Sequence, residues 1–430
     1  FKLSSMQIIK TILLFGFILS SGNVQAQTNS GDTAWILTSS SLVLFMTLPG
    51  LALFYAGLVC SRNVLSVLSQ HFGIACLMSI LWVIIGYSLA FSGDGSGLFG
   101  GFSKVFLEIS DESNIGGIPE VLFAMFQMTF AIITPALIIG AYVERIKFGV
   151  ALIFSSLWLL VVYCPVAYWV WGGGFLGQMG VKDFAGGIVV HTTAGVGALV
   201  IAIVLGKRNS FGKNNLAPPH NPVLTMIGAS MLWVGWFGFN GGSALAADLT
   251  ASKAILVTHI AASLGAFSWI LIEWVRFGKP SLVGMVTGMV AGLATITPAS
   301  GFVGVQGAVI LGILGGIICY LGVELIRIRL KIDDSLDVFA VHGIGGMLGT
   351  ILCGLLMSSD FGGVGFDEGL TAFDHIKIQI YSVLVTLIWT AVFTYVILKI
   401  LSLITPLRVS EEEEITGLDT TSHGESGYNI

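Results

Sequence analysis

Charge is scarce in this sequence. Only 10% of its 430 residues are Asp, Glu, Lys or Arg, against a hydrophobic share of 55%. A soluble domain keeps about 25% of its residues charged, so a soluble globular fold is excluded, and a mean hydropathy of +0.92 points the same way. Cysteine is sparse too. Cys60, Cys76, Cys164, Cys319 and Cys353 all lie in or beside apolar runs, without metal-type spacing. They read as small hydrophobes, so neither a disulfide framework nor a metal site is expected. No glycine-rich phosphate loop occurs, and no cofactor, nucleic-acid partner or enzymatic activity is expected. The net charge of −5 carries less weight than its distribution.

What is plentiful is apolar length. Crossing a ~30 Å hydrocarbon core takes about 20 helical residues. The first apolar stretch, Thr11 to Leu19, is too short. It follows Lys10 and precedes Val24-Gln25-Ala26, the layout of a secretory signal peptide with small residues at the cleavage site. Residues 1–26 are read as that signal, with Met6 as its start and Gln27 opening the mature chain. Eleven blocks of spanning character follow, at 34–58, 67–91, 119–142, 148–171, 185–206, 222–245, 254–276, 281–298, 302–326, 336–357 and 377–404. The expected fold is therefore an all-α polytopic membrane domain over 27–404, with a tail at 405–430. One set of alternate loops holds eleven Lys and Arg residues and the other set four. By the positive-inside rule the mature N-terminus is outside and the tail is cytoplasmic, which agrees with a signal-peptide start.

Two of the blocks carry the same pattern. Asp183 lies eight residues before His191, and Asp334 eight before His342; Gly195 and Gly346 follow each histidine by four. These are blocks five and ten, so each half holds five spans and the second half starts from the opposite face: a five-plus-five inverted repeat plus a final helix. Eight residues of helix carry each histidine ~12 Å inward, close to the midplane. An ionisable group inside a span is a functional candidate by default. A plain hydrogen bond to a neighbouring helix is the competing reading, and symmetric placement of the pair weakens it. His71 and His259 lack such partners and read as packing, while His220, His375 and His423 fall in loops or tail and read as solvated.

Aromatics form a second pattern. Phe126 and Phe130 are four apart on one helical face, as are Phe239 and Ser243. Blocks three and six run in opposite directions, so Phe130 and Phe239 share a depth, with Phe126 and Ser243 one turn nearer the outside. Trp171 closes block four on that same side. Aromatics in membrane proteins are mostly packing or interfacial anchors; a layer of Trp, Phe and Ser above two Phe is less usual.

"FQMTFAIITPALIIGAYVERIKF", "DFAGGIVVHTTAG", "WFGFNGGSA", "ITPASGFV" and "DVFAVHGIGG" occur in order, and together they resemble the motifs of the ammonium transporter (Amt/MEP) family from about Trp35 to the C-terminus. The resemblance implies a bacterial Amt-type channel of the cell membrane, a homotrimer whose protomers each hold a narrow hydrophobic pore. It makes Trp171, Phe126 and Ser243 the outer ammonium-binding site, Phe130 and Phe239 a stacked aromatic gate, and His191 and His342 the twin histidines of the pore. Asp183 becomes a structural support of the site; Trp236 and Asn240 match motif positions without assigned roles. The Trp and Phe pattern favours Amt over the Rh branch. Gly241 stands where many relatives would carry alanine. Ammonium would give up its proton and cross as NH3, with or without the proton relayed. The acidic run Glu411 to Glu414 resembles the family's cytoplasmic segment, which implies a PII-type signalling partner. An electron carrier with the two histidines as haem ligands is disfavoured, because each lies on its own helix. An ammonium sensor that binds but barely conducts stays open as the alternative.

Overall fold

The computed structural model describes residues 28–95, 97–212 and 218–428; the expected signal peptide, residues 1–26, lies outside the described residues, as does Lys213. Each of the eleven apolar blocks holds a helix: α1 (Ser30–Leu58), α2 (Ser61–Phe91), α3 (Glu120–Tyr142), α4 (Phe148–Gln178), α5 (Gly187–Leu205), α6 (Pro222–Gly242), α7 (Leu249–Phe277), α8 (Leu282–Ile296), α9 (Val305–Arg329), α10 (Phe339–Leu356) and α11 (Ala372–Ile404). Ten of them are long and apolar enough to cross a membrane. The exception is α8, whose 15 residues reach only ~22 Å of a ~30 Å core. Pro298 stops it, since proline lacks the N–H that would extend the ladder.

Several helices begin earlier than the apolar runs alone imply, because polar side chains cap them. Asp248 accepts from the Ala251 amide at the start of α7. Thr371 and Asp374 form a reciprocal capping box that carries α11 back to Ala372. Before α3 a two-residue hairpin, β1 (Asn114–Ile115) and β2 (Ile118–Pro119), turns through Gly116 and Gly117, both at positive φ.

Burial separates the helices by depth. Nearly every residue of α3 is enclosed. On α11, by contrast, Ile380, Leu384, Ile388, Val392 and Val396 are exposed at four-residue spacing. Such a stripe on one helical face suits hydrocarbon and not water.

Residues 405–428 fold back against one face. Val409 donates to the Arg145 carbonyl at 3.0 Å, and Lys147 to that of Leu407 at 3.1 Å. Two short helices follow, α12 (Glu411–Thr416) and α13 (Leu418–His423). Glu414 takes Arg408 at 2.6 Å and the Asn209 amide at 2.6 Å, while Asp419 accepts from Ser66 near the start of α2 at 2.8 Å. This side is the tail face below, and the opposite side the far face.

Three histidines depart from the expectation of solvent. His220 lies between the Val59 carbonyl and the Tyr428 hydroxyl, each at 2.9 Å. His375 is fully buried and stacked on Phe366. His423 stands edge-on to Phe148. The loops and tail cover one another, which composition alone does not reveal.

Helices α5 and α10 approach closely. A Cβ at Gly195 would overlap the Gly343 backbone, and one at Gly346 would lie 2.6 Å from the His191 Cβ. The glycines four residues past each histidine therefore let the partner histidine's helix come close. Gly195→Val is expected to cost about 1–3 kcal/mol or more by overpacking. Thermal unfolding in detergent checks it, since an unchanged melting temperature means the helices are free to move apart.

Candidate functional site

Both histidines ride on wide turns. The openings of α5, Gly187–Thr192, and of α10, Phe339–Ile344, are π-helical, a geometry frequent where a helix must aim a side chain. The imidazoles are buried, with their Nδ1 atoms 3.2 Å apart, ring centroids 5.2 Å apart and planes tilted by 19°. A hydrogen bond between two Nδ1 atoms requires one to donate and the other to accept. If both rings are neutral, one Nε2 is then a bare acceptor and the other carries a proton. The Nε2 of His191 has no hydrogen-bond partner among the described residues.

The aspartates preceding the histidines both cap helix starts. Asp183 Oδ1 accepts from the amides of Gly186 (2.9 Å) and Gly187 (2.6 Å), and Oδ2 from those of Ile188 (2.8 Å) and Val189 (3.1 Å). Burial raises its pKa against the opposing pull of these four donors. Asp334 Oδ2 accepts from the Phe339 amide at 2.7 Å, and its Oδ1 is buried without a hydrogen-bond partner among the described residues. Asp183 sits at the far face, beside the Lys182–Asp367 ion pair. Asp334 sits at the tail face, next to an ionic cluster in which Arg208 takes Asp333 with two nitrogens, at 3.0 and 2.8 Å, and Glu144 at 2.7 Å. Burial would raise the Asp333 carboxyl, but the Arg208 guanidinium holds it below the usual carboxylate range.

On the far side of the histidines lies an aromatic stack. Phe130 and Phe239 lie 4.2 Å apart between centroids with planes 27° apart. Phe126 and Trp171 both meet Phe130 edge-on, at 5.1 and 5.9 Å. Gly242 leaves room for the Phe126 ring, which a Cβ there would crowd at 2.9 Å. The Trp171 indole donates to the Asp183 carbonyl at 2.8 Å, where α4 breaks before Gly173 at φ +89°. Ser243 donates its hydroxyl to the Phe239 carbonyl at 2.8 Å, which leaves its oxygen lone pairs free to accept. Phe239 in turn lies 6.2 Å from the His191 ring.

Trp171, Phe126, Phe130, Phe239 and Ser243, with His191 and His342, thus form one continuous file, backed by Asp183. A cavity of about 10 Å³, on the order of one water centre, lies between Phe239, Trp236 and the two histidines. Toward the tail face His342 borders a wider cavity of about 280 Å³, whose wall includes Arg327, Asp337 and Pro218. The small cavity is lined almost wholly by apolar side chains and the two histidines, whereas the wider one at the tail face has charged residues in its wall.

Other contributors have no role that the sequence assigns. Trp236, a motif position without a role in the sequence, stacks on His191 at 5.6 Å and 16° and donates to the Thr297 hydroxyl at 2.8 Å. Asn240 donates to Thr258 at 2.8 Å. Thr297 and Thr258 are ordinary residues in apolar runs, and only the fold brings them to the site.

Membrane-length apolar helices around a file of aromatics and paired imidazoles define a multi-pass α-helical membrane protein. The Ammonium Transporter Family profile matches residues 34–428. A Bacillus subtilis ammonium transporter is 47% identical over 93% of this chain and 98% of its own. The crystal structure of Candida albicans Mep2 superposes with a TM-score of 0.83 at 36% identity, over 90% of this chain and 88% of that one. A protein described as a sensor Amt protein reaches 0.84 at 27% identity, over 91% and 98%. The chain belongs to the ammonium transporter family, a family of transporters and not of enzymes.

Two outcomes follow from the caps. Asp183→Ala leaves four amides at a buried helix start without their acceptor, and a buried unsatisfied donor costs about 1–3 kcal/mol. With partial relief by water, a loss of roughly 3 kcal/mol is expected from thermal unfolding, and Asp183→Asn should recover part of it. Burial, with the Asp337 carboxylate beside it, pushes the Asp334 carboxyl up to about 7. The folded chain then holds this proton more tightly than the unfolded chain, whose carboxyl titrates near about 3.9. The resulting stability is complete below about pH 4 and lost as pH rises through about 7. Asp334→Asn, which keeps an acceptor for Phe339, should show a flatter melting temperature over that window; parallel curves for the two proteins would refute this.

Proposed function

We propose that this chain conducts ammonium into the cell as NH3, with or without a relayed proton. The observation that carries the reading is the paired imidazoles in the midst of an apolar passage. Carrying an intact charge through such a passage is costly. Ammonium escapes that cost by leaving its proton behind, and K⁺, of similar size, has no proton to leave. Aromatic faces attract a cation by about 0.5–2 kcal/mol, so Trp171 and Phe126 serve to recruit NH4⁺ at the far face. Ser243 accepts a hydrogen bond that ammonium can give and potassium cannot. Phe130 and Phe239 form a gate that excludes water, and beyond it the bare and protonated Nε2 atoms of the histidine pair match the donors and the lone pair of NH3. Asp183 holds the start of α5, and with it His191, in place.

In this reading the far face is outside and the tail face cytoplasmic, as the loop charges require, in a bacterial cell membrane. Residues 1–26 act as a signal peptide, 27–404 as the transport domain and 405–430 as a regulatory tail. The protein works as a homotrimer with one pore per protomer. The tail packing at Glu414 and Asp419 supports a cytoplasmic surface on which a PII-type protein blocks conduction. The similarity to a protein described as a sensor keeps one second reading, a receptor that binds ammonium and barely conducts.

The test is the current evoked by an ammonium jump across proteoliposomes, with a potassium jump as control and internal pH recorded. A saturable ammonium current without a potassium response means that charge accompanies nitrogen. Internal alkalinisation without current means neutral NH3 conduction. His191→Ala and His342→Ala should each abolish or redirect that response. Silence of the unsubstituted protein in both records sinks the transport reading and leaves the sensor.

A further inference from the structure

The far-face loop that carries Asp183 is held by a side chain from α11. Gln379 is fully buried. Its Oε1 accepts from the Lys182 amide at 2.9 Å, and its Nε2 donates to the Lys182 carbonyl at 2.7 Å and to the Thr350 carbonyl at 2.9 Å. Both carboxamide protons are thus used, and the side chain grips the backbone of residue 182 from both sides, as a neighbouring strand would. The third bond reaches α10, eight residues past His342.

The next residue along is Asp183. Its carboxylate caps α5, and its carbonyl holds the Trp171 indole at 2.8 Å. The His191 amide donates to the Gly186 carbonyl at 2.8 Å, in the turn that the Asp183 carboxylate closes. Other contacts also restrain the loop, among them the Phe184 and Lys182 side chains against the Phe302 ring at 5.6 and 5.7 Å. Phe184 donates to the Pro298 carbonyl at 3.0 Å. The Lys182 ammonium pairs with Asp367 at 2.8 Å, but Asp367 is 44% exposed, and ion pairs open to solvent contribute little. The buried amide clamp is the stronger hold on residue 182.

We propose that Gln379 is a positioning residue for ammonium recruitment: it fixes the backbone of Lys182, and through Asp183 sets Trp171 at the far-face site and the start of the helix that bears His191. This rests on the reading of Trp171 as part of the ammonium site. Gln379 touches neither substrate nor pore, and its effect passes through the Trp171 N–H bond to Asp183.

The test uses the full chain with Gln379→Met, which keeps length and apolar bulk while removing all three hydrogen bonds. Hydrogen–deuterium exchange of the segment 182–189 is read first, independently of transport, and faster exchange there is the expected result. In proteoliposomes the ammonium concentration giving half the maximal response should rise about fivefold, with the maximal response little changed. Trp171→Phe, which keeps a ring but loses the N–H, should raise it too. The double variant should be no worse than the more severe single one, because coupled residues are not additive. Unchanged exchange over 182–189 overturns the proposal. So do additive effects, or a fall in maximal response alone, which is what general loss of folded protein produces. If Gln379→Met does not fold, Gln379→Glu keeps the acceptor for Lys182 and gives up both donors. It must then shift the half-maximal concentration in the same direction, and no shift there overturns the proposal equally. A silent unsubstituted protein refutes transport itself, whereas the exchange result judges the clamp.

Discussion

Two imidazole nitrogens 3.2 Å apart in the middle of an apolar bundle set the terms for the rest of this molecule. Each ring comes from a separate helix, entering from an opposite face, and each helix must arrive at the right depth and rotation. The glycines at 195 and 346 let the helices close on one another, and a side chain at either would part the pair. The aspartates at 183 and 334 start those helices, and the π-helical turns beyond them turn the rings inward. Trp236, tethered to Thr297 at 2.8 Å, lies nearly parallel to the His191 ring, 5.6 Å away between centroids. Desolvation makes this precision necessary: a buried polar group without a partner is costly, so each ring's Nδ1 finds the other.

The same constraint explains the aromatics. A dry passage is a poor host for any cation, and attraction has to be offered before the dry part begins. Phe130 and Phe239, stacked at 4.2 Å, separate the half-buried Trp171 from the histidines. Cation–π attraction of about 0.5–2 kcal/mol is enough to concentrate a cation and too small to drag it through hydrocarbon. In the proposed function, the balance of those two magnitudes separates recruitment from passage, and it rewards an ion that can shed its charge.

Much of this was legible in the sequence because it is carried by rare residues in repeated spacing. An aspartate and a histidine eight apart, twice, inside apolar runs, stand out against a composition with 10% charged residues. Phe126 and Phe130 on one helix, and Phe239 and Ser243 on another of opposite direction, each four apart, align without further information. What stayed hidden is held by common residues acting at long range. Gln379 meets Lys182 across 197 positions, and Trp236 meets Thr297 across 61, with no local spacing to announce either. The loop histidines were misread for the same reason. His375 sits in a polar stretch of sequence, and only the packing of the far-face loop over α11 buries it. The shortness of α8 follows from Pro298, which closes its apolar run while the helix ends at Ile296.

The two halves of the repeat agree in geometry and differ in charge, and the difference follows from what each face must do. At the far face both oxygens of Asp183 are satisfied by four amides, so the carboxylate is wholly occupied in holding a helix start. At the tail face Asp334 has one satisfied oxygen and one that is buried without a partner among the described residues, with Asp337 close by and Arg208 binding Asp333. In the proposed function, a rigid, fully bonded cap suits the side where an aromatic site is held in register for a weakly attracted ion. A cap with spare hydrogen-bonding capacity, beside a polar cavity of about 280 Å³, then suits the side where rehydration would begin. The symmetric part of the repeat fixes where the imidazoles meet. Its asymmetric part gives the two ends of the passage different chemistry, and a file of otherwise similar groups acquires a direction.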